Sequence, residues 1–336
     1  MRLLKSATIE KPAYRVVVFL SAAVLLVLFF ALNIAVGSVS IPLRVVLSSL
    51  GSGGGEETFS IIVREIRLPR ALAALCAGAS LAASGVFIKA VMRNHLADSG
   101  ILGIQSGATV VAMFIILASP SLMNFLPVGA FLGGLIAFAL VVFLSYRKGS
   151  VSAVRMILAG IAVNAFFGSM IGILTIYNSE RLENALGWLN GSLAGITTSE
   201  AKILLAYTLP ALLLGFLLVR ISNLLQLDDN TIHNLGESLH RLRLLVSLAS
   251  VLLATISVSV VGIIGFVGLV VPHIARLLAG VNHKILYPLS LLLGSILVLG
   301  ADLLQKALFS PLEMPVGIVI SLFGAPFFLY LLRRES

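Results

Sequence analysis

Long charge-poor stretches recur along this chain, and its polar and charged residues gather in short clusters between them. The stretches run at about 16–36, 70–89, 99–118, 127–146, 155–177, 201–219, 243–260, 264–280, 285–304 and 315–332. Each is close to the roughly 20 apolar residues that a helix needs to cross a hydrocarbon core about 30 Å thick. Two boundaries are internal breaks. The run between Asp98 and Arg147 is too long for one helix, and Ser119-Pro120 to Pro127 supplies the turn, because proline lacks a donor and its predecessor avoids the helical region. The run from Leu244 to Ala275 is split at Gly262–Gly265, which leaves a shortened eighth helix. The pattern predicts an all-α membrane protein of about ten transmembrane helices, with residues 1–336 forming one transmembrane domain.

Composition agrees. The chain is 59% hydrophobic and 11% charged, with a mean hydropathy of +1.10. Roughly a quarter of the residues of a soluble domain are charged, so water cannot be the solvent for this surface. The net charge of +9 is spread over short loops, which reads as membrane topology and not as a nucleic-acid-binding face. Lys5, Lys11 and Arg15 precede the first stretch, and Lys89 and Arg93 follow the second. Arg147, Lys148 and Arg155 lie between the fourth and fifth, and Arg220, Arg241 and Arg243 flank the loop between the sixth and seventh. Arg276 and Lys284 follow the eighth, and Arg333-Arg334 closes the chain. The loops near 119–126 and 261–263 carry no Lys or Arg. The positive-inside bias therefore places both termini in the cytoplasm. The outer loop 37–70 is the exception, with Arg44, Arg64, Arg67 and Arg70.

Several chemistries drop out. Cys76 is the only cysteine, which excludes an intrachain disulfide and a cysteine metal site. The first apolar stretch is long, without a small-residue cleavage site, and reads as a retained helix. Ser52-Gly53-Gly54-Gly55-Glu56-Glu57 is a flexible linker and not a phosphate loop, since no Lys-Ser/Thr follows its glycines; any ATP hydrolysis belongs to another chain. The glycines inside the stretches, in Ala77-Gly78-Ala79, Ser84-Gly85 and Gly133-Gly134, read as close helix packing. Gly-Ile, five residues, then Gly-Ala occurs at 100–108 and at 317–325. The two copies leave loops on opposite sides, as in an inverted repeat.

Residues 67–108 concentrate the signal: a pair of arginines, an uncharged helix rich in small residues, a basic polar turn, and a second apolar segment. RLPR at 67–70, RNHLADSGILGIQSGA at 93–108, LAG at 158–160, FVGLVVPHIARLLAG at 266–280, Asp302 and EMPVGIVISLFGAPFFLYLL at 313–332 together resemble one family. It is the iron-chelate uptake permease family, the membrane subunits of ABC importers for iron-siderophores, haem and vitamin B12. The resemblance runs from about residue 16 to the end. It implies a multi-pass subunit of the cytoplasmic membrane that catalyses no bond chemistry and holds neither cofactor nor metal. Its implied partners are a second permease subunit (the same chain or a paralogue), two cytoplasmic ATPase subunits, an extracytoplasmic substrate-binding protein and the bilayer.

The resemblance also implies site residues. Arg67 and Arg70 would receive carboxylates of the binding protein, each guanidinium donating to one bidentately; the competing reading is headgroup anchoring by snorkelling. Lys306 takes the place of an arginine that joins the docking set in part of the family, and the competing reading is an i,i+4 pair with Asp302. Glu313 is a further partner for these bases. The coupling loop, about 221–241, would seat Gln226, Leu227, Asp228, Asp229, Ile232, Leu235 and Gly236 in a groove on the ATPase, as two short helices in the family. Asp228 to Asn230 suit a helix cap. Asp228-Asp229 and Ile232 depart from the family's Gly-acidic and Ala pattern. Asn94 and Leu96, with Ala153 and Val154, align with a cytoplasmic gate; His95 replaces the usual proline, and a plain polar turn is the competing reading there. His273 and Arg276 sit near the inner end of the eighth stretch, and a lone histidine is a poor metal site.

The expected function is import of an iron(III)-siderophore, with haem or cobalamin as alternative cargo. A secondary transporter is the rival class. It needs acidic or interrupted-helix sites near the bilayer midplane, and Asp302 lies toward an end.

Overall fold

The computed structural model describes residues 12–37, 39, 41–50, 57–94, 96–147, 150–151, 153–310 and 312–335. Lys5, Lys11, the glycine-rich segment 52–56, His95 and Lys148 lie outside the described residues. The chain opens with α1 (Pro12–Ala35) and the short helices α2 (Leu43–Leu50) and α3 (Glu57–Ile61). A π-helical turn, Ile62–Arg67, leads into α4 (Leu68–Met92). Helix α5 (Ile104–Met113) ends in a second π-turn, Phe114–Ala118, and a 3-10 turn, Pro120–Phe125, leads into α6 (Leu126–Ser145). A two-residue antiparallel pair, Tyr146–Arg147 with Ser150–Val151, precedes α7 (Ala153–Tyr177). Then come α8 (Leu182–Leu189), α9 (Thr198–Leu224), α10 (Asp229–Asn234), α11 (Leu239–Val261), α12 (Val267–Ala279), α13 (His283–Phe309) and α14 (Val316–Glu335).

Among the described residues, 7 helices are long and apolar enough to cross a membrane, and shorter apolar helices cover Ile104–Ala118, Val267–Ala279 and Val316–Tyr330. Every expected stretch falls on one of these helices. Both internal breaks lie where the sequence places them. Helix α11 stops at Gly262, whose φ of +73° disfavours a side chain and whose Cβ would stand 1.8 Å from the Trp188 carbonyl. Helix α12 then covers only 13 residues, about 20 Å at 1.5 Å per residue, so one of its ends stays inside the bundle.

The segment 37–70 is not the loop that the sequence predicts. It is helical over Leu43–Leu50 and again from Glu57 onward. Pro69 lacks an N–H and crowds the carbonyl four residues back. The preceding π-turn absorbs this by pairing the Leu68 N–H with the Val63 carbonyl, five residues back, so the helix runs past the proline and carries Arg64 and Arg67 with it.

Helix α4 is the axis of the bundle, and 89% of its most apolar window is buried. Its small residues make this possible. A Cβ on Gly78 would stand 2.2 Å from the Gly294 carbonyl of α13, and one on Gly85 2.1 Å from the Gly268 carbonyl of α12. Contact this close between backbones is how helices bind where lipid offers no hydrophobic gain. Ser84 and Ser250 hydrogen-bond at 2.9 Å between α4 and α11. By contrast, α1 and α7 turn Val16, Leu20, Val24, Leu158, Ile161 and Ile173 outward. Helix α4 runs from Arg67 at one end of the bundle to Arg93 at the other. Helix α1 finishes beside Arg67, so Pro12 lies at the Arg93 end. Helix α14 starts three residues after Glu313, which reaches Arg70, and so it too runs from the Arg67 end toward the Arg93 end.

Candidate functional site

Three cations meet at the first end. Arg67, 6% exposed, donates from Nη1 to the carbonyls of Ile34 (2.8 Å) and Ala35 (2.7 Å) and from Nη2 to that of Val39. A helix leaves its last carbonyls without intrahelical partners and gathers negative potential there. Arg67 answers both needs for α1. Gly37 leaves room for it, since a Cβ there would lie 2.8 Å from Nη2. Arg70 lies one turn on and is turned into the protein. Its Nη2 and Nε stand 2.9 and 3.0 Å from Asp302 Oδ1, and its Nη1 is 3.1 Å from Glu313 Oε1. Lys306 Nζ is 2.6 Å from Asp302 Oδ2 and 3.1 Å from Asn33 Oδ1. Asn33 in turn donates to the Leu299 carbonyl at 2.8 Å. Helices α1, α4 and α13 are thereby tied at one level.

Arg67, Arg70, Lys306 and Glu313 line a single cleft at this end. The predicted docking residues are thus brought together, though they are largely buried and already engaged. The i,i+4 pair of Lys306 with Asp302 is present. Asn33 is a member that sequence reasoning missed: an asparagine within an apolar run carries no sign that a lysine on another helix will bond it.

At the opposite end, Arg93 closes α4 in a left-handed conformation (φ +47°). It donates to the carbonyls of Leu225 (2.7 Å) and Leu227 and pairs with Asp229 at 2.7 Å. Arg243 reaches the same carboxylate at 3.5 Å. Gln226 donates to the Val281 carbonyl (3.0 Å) and meets His283 Nδ1 at 2.6 Å. The loop is therefore anchored, not free in solvent. Within it α10 covers Asp229–Asn234 and stops at Gly236 (φ +76°). Asp228 stands at its N-cap without a capping side-chain bond. Ile232 is fully buried, whereas Leu227 and Leu235 are exposed. One short helix forms here where the resemblance implies two, because α11 already begins at Leu239.

Of the predicted gate residues, Asn94 makes a tight turn, its Oδ1 accepting the Leu96 N–H at 2.9 Å. Ala153 opens α7, and Val154 beside it is exposed. His273 and Arg276 line a cleft at this end with Lys89 and Arg93. Among the described residues, no three His, Cys, Asp or Glu side chains come within reach of a common metal ion.

Asp98 was hidden from the sequence. It follows the turn after α4, yet only 5% of it is exposed. Its Oδ1 accepts the Gly100 N–H at 2.8 Å, and its Oδ2 would stand 2.5 Å from a Cβ on Gly268, in the first turn of α12. Burial pushes its carboxyl above the usual carboxylate range.

Comparison with known proteins agrees with this architecture. The model of the FecCD transport family matches residues 25–334. The hemin transport system permease protein HmuU of Yersinia pestis is 42% identical over 276 residues, 80% of this chain and 82% of that one. The Fe(3+)-citrate import system permease protein YfmE of Bacillus subtilis is 37% identical over 331 residues, 98% of both chains. The Bacillus subtilis iron(3+)-hydroxamate import system permease protein FhuG is 35% identical over 93% of this chain and 95% of its own. A solved ABC transporter described as of the metal-chelate type, in an inward-facing conformation, superimposes with a TM-score of 0.81 at 30% identity, over 95% of this chain and 99% of that one. With its apolar helices, this chain therefore belongs to the FecCD transport family, as a multi-pass permease subunit of the cytoplasmic membrane that relies on separate subunits for ATP hydrolysis.

Proposed function

We propose that this permease carries an iron(III)-siderophore inward, as one of two permease subunits above two ATPase subunits and below an extracytoplasmic binding protein. Both termini then face the cytoplasm. The observation that carries this reading is the course of α4. One buried helix begins at a cationic cleft, where a binding protein's carboxylates would dock on Arg67, Arg70 and Lys306. It ends at Arg93, which holds the loop that would meet the ATPase. In that loop the exposed Leu227 and Leu235 make the apolar contact with the ATPase, and Gln226, Asp228, Asp229, buried Ile232 and Gly236 shape it. Asn94, Leu96, Ala153 and Val154 form the cytoplasmic gate, closed against the second subunit, with the path between the two copies. ATP drives the cycle by binding one arrangement of the assembly more tightly than the other.

For the cargo, the end-to-end match to a ferric citrate permease supports a ferric chelate. The 42% identity to a hemin permease favours haem as the second reading. Uptake of radiolabelled iron as ferric citrate and as a ferric hydroxamate, in cells with and without this gene, tests it. Unlabelled haem and cobalamin serve as competitors. Gene-dependent uptake blocked by a siderophore supports the first reading; gene-dependent uptake of labelled haem alone replaces it with the second.

A further inference from the structure

Arg70 has two carboxylate partners of opposite character. Asp302 has no exposed side-chain surface, takes two of the Arg70 nitrogens, and also holds Lys306. Removing it would strand two largely buried cations. Glu313 takes the remaining Nη1 at 3.1 Å, from the segment between α13 and α14, and its side chain is 57% exposed. The buried contact is structural; the exposed one is exchangeable. Glu313 also lines the cleft that holds Arg70, Arg67 and Lys306.

We infer that Glu313 is a built-in stand-in for the binding protein's carboxylate: it occupies Arg70 Nη1 in the undocked permease and is displaced when the binding protein docks. The inference rests on the docking reading above. It follows from the donor inventory of one guanidinium. Asp302 occupies Nε and Nη2, so the outward nitrogen is the one left for a partner, and a chain carboxylate already sits on it. The exchange replaces one charge-assisted hydrogen bond by another of the same kind. Arg70 thus keeps a carboxylate there throughout, and docking is readily reversible. Without the stand-in, one carboxylate, Asp302, faces three cations, Arg67, Arg70 and Lys306, and the cleft attracts an acidic surface more strongly and with a steeper dependence on salt.

The test titrates the cognate binding protein onto the permease–ATPase complex in nanodiscs. Glu313→Gln tightens docking roughly two- to fivefold, the scale of an exposed ion pair, mainly through faster association. A spin label on Leu312→Cys, 71% exposed in the same segment, becomes more mobile when the binding protein is added, because the segment loses its hold on Arg70. The label is placed in a Cys76→Ser background. Lys306→Gln serves as the control for docking at this cleft. If Lys306→Gln weakens docking while Glu313→Gln leaves it unchanged or weaker, or the label does not respond, the stand-in is wrong and the docking site survives. If Lys306→Gln and Arg67→Gln both leave docking unchanged, the docking reading fails and takes the inference with it.

Discussion

Arg70 grips Asp302 with two nitrogens, Nη2 at 2.9 Å and Nε at 3.0 Å from the same carboxylate oxygen, and the carboxylate has no exposed surface. The pair joins α4 to α13 at the level where α1 also ends. Two nitrogens converging on one carboxylate fix orientation as well as distance, so the pair sets how the cleft presents its remaining cations.

Breaking this pair from one side is expected to be costly. Asp302→Ala leaves Arg70 and Lys306 without their buried counter-charge, and the loss should be about 3–5 kcal/mol. Replacing all three members, Arg70→Met and Lys306→Met with Asp302→Leu, should recover most of the stability and still lose docking. Cys76 is the only cysteine and is buried, so the rate at which a thiol-reactive dye labels it on heating reports unfolding. Equal melting of the single and triple variants would argue against this cluster as the tie between α4 and α13.

Arg67 has a structural duty in addition to any contact with a partner. Arg67→Ala removes the cation from the last carbonyls of α1 and should cost about 2 kcal/mol, the range for hydrogen bonds to a charged group. Hydrogen exchange confined to the end of α1 and residues 35–41 should rise. Protection equal to that of the unaltered protein would place the guanidinium elsewhere.

Packing along α4 leaves no space for a methyl group at Gly78. Gly78→Ala should cost about 1–3 kcal/mol through overpacking, because the atom in the way is the Gly294 backbone carbonyl and not a side chain that can rotate. The same substitution at Gly168 on α7, where a Cβ meets nothing within 4 Å, should be nearly neutral. The ratio of folded yields of the two variants after detergent extraction checks this.

In the coupling loop, burial separates two roles. Leu227→Asp with Leu235→Asp changes exposed residues and should abolish co-purification of the ATPase while membrane insertion and melting stay normal. Ile232→Asp buries a carboxylate in an apolar site and should lower the melting temperature as well. Retained ATPase in the double variant would remove the coupling role.

Asp98 makes stability depend on pH. Its folded carboxyl is raised by burial, so the folded protein holds this proton more tightly than the unfolded chain does. The contribution is fully present below the ordinary carboxylate pKa and is lost as pH rises through the raised value. Asp98→Asn keeps the Oδ1 acceptor for the Gly100 N–H and removes the titration. Its melting temperature should fall less than that of the unaltered protein as pH rises across that window; parallel profiles would count against the shift.

The sequence by itself determined the solvent, the positions of the apolar stretches and the family. Those properties are written in local runs: an apolar stretch demands lipid wherever it sits, Ser119-Pro120 and Gly262 interrupt a helix through their own backbones, and the small residues of α4 announce close packing before any neighbour is known. Local spacing offered the Lys306–Asp302 pair and proximity in the chain offered Glu313, but only the tertiary structure decided how Arg67, Arg70 and Arg93 are engaged. Arg70 meets Asp302 and Glu313 across 232 and 243 positions, and a long-range ion pair leaves no periodic trace in either partner's neighbourhood. The segment 37–70 reads as a loop, yet a π-turn carries the helix past Pro69. Asp98 looked like a turn residue because a short polar segment reads the same whether water or α12 covers it. Burial, and with it the division between structural and exchangeable contacts, is a property of the whole packed bundle.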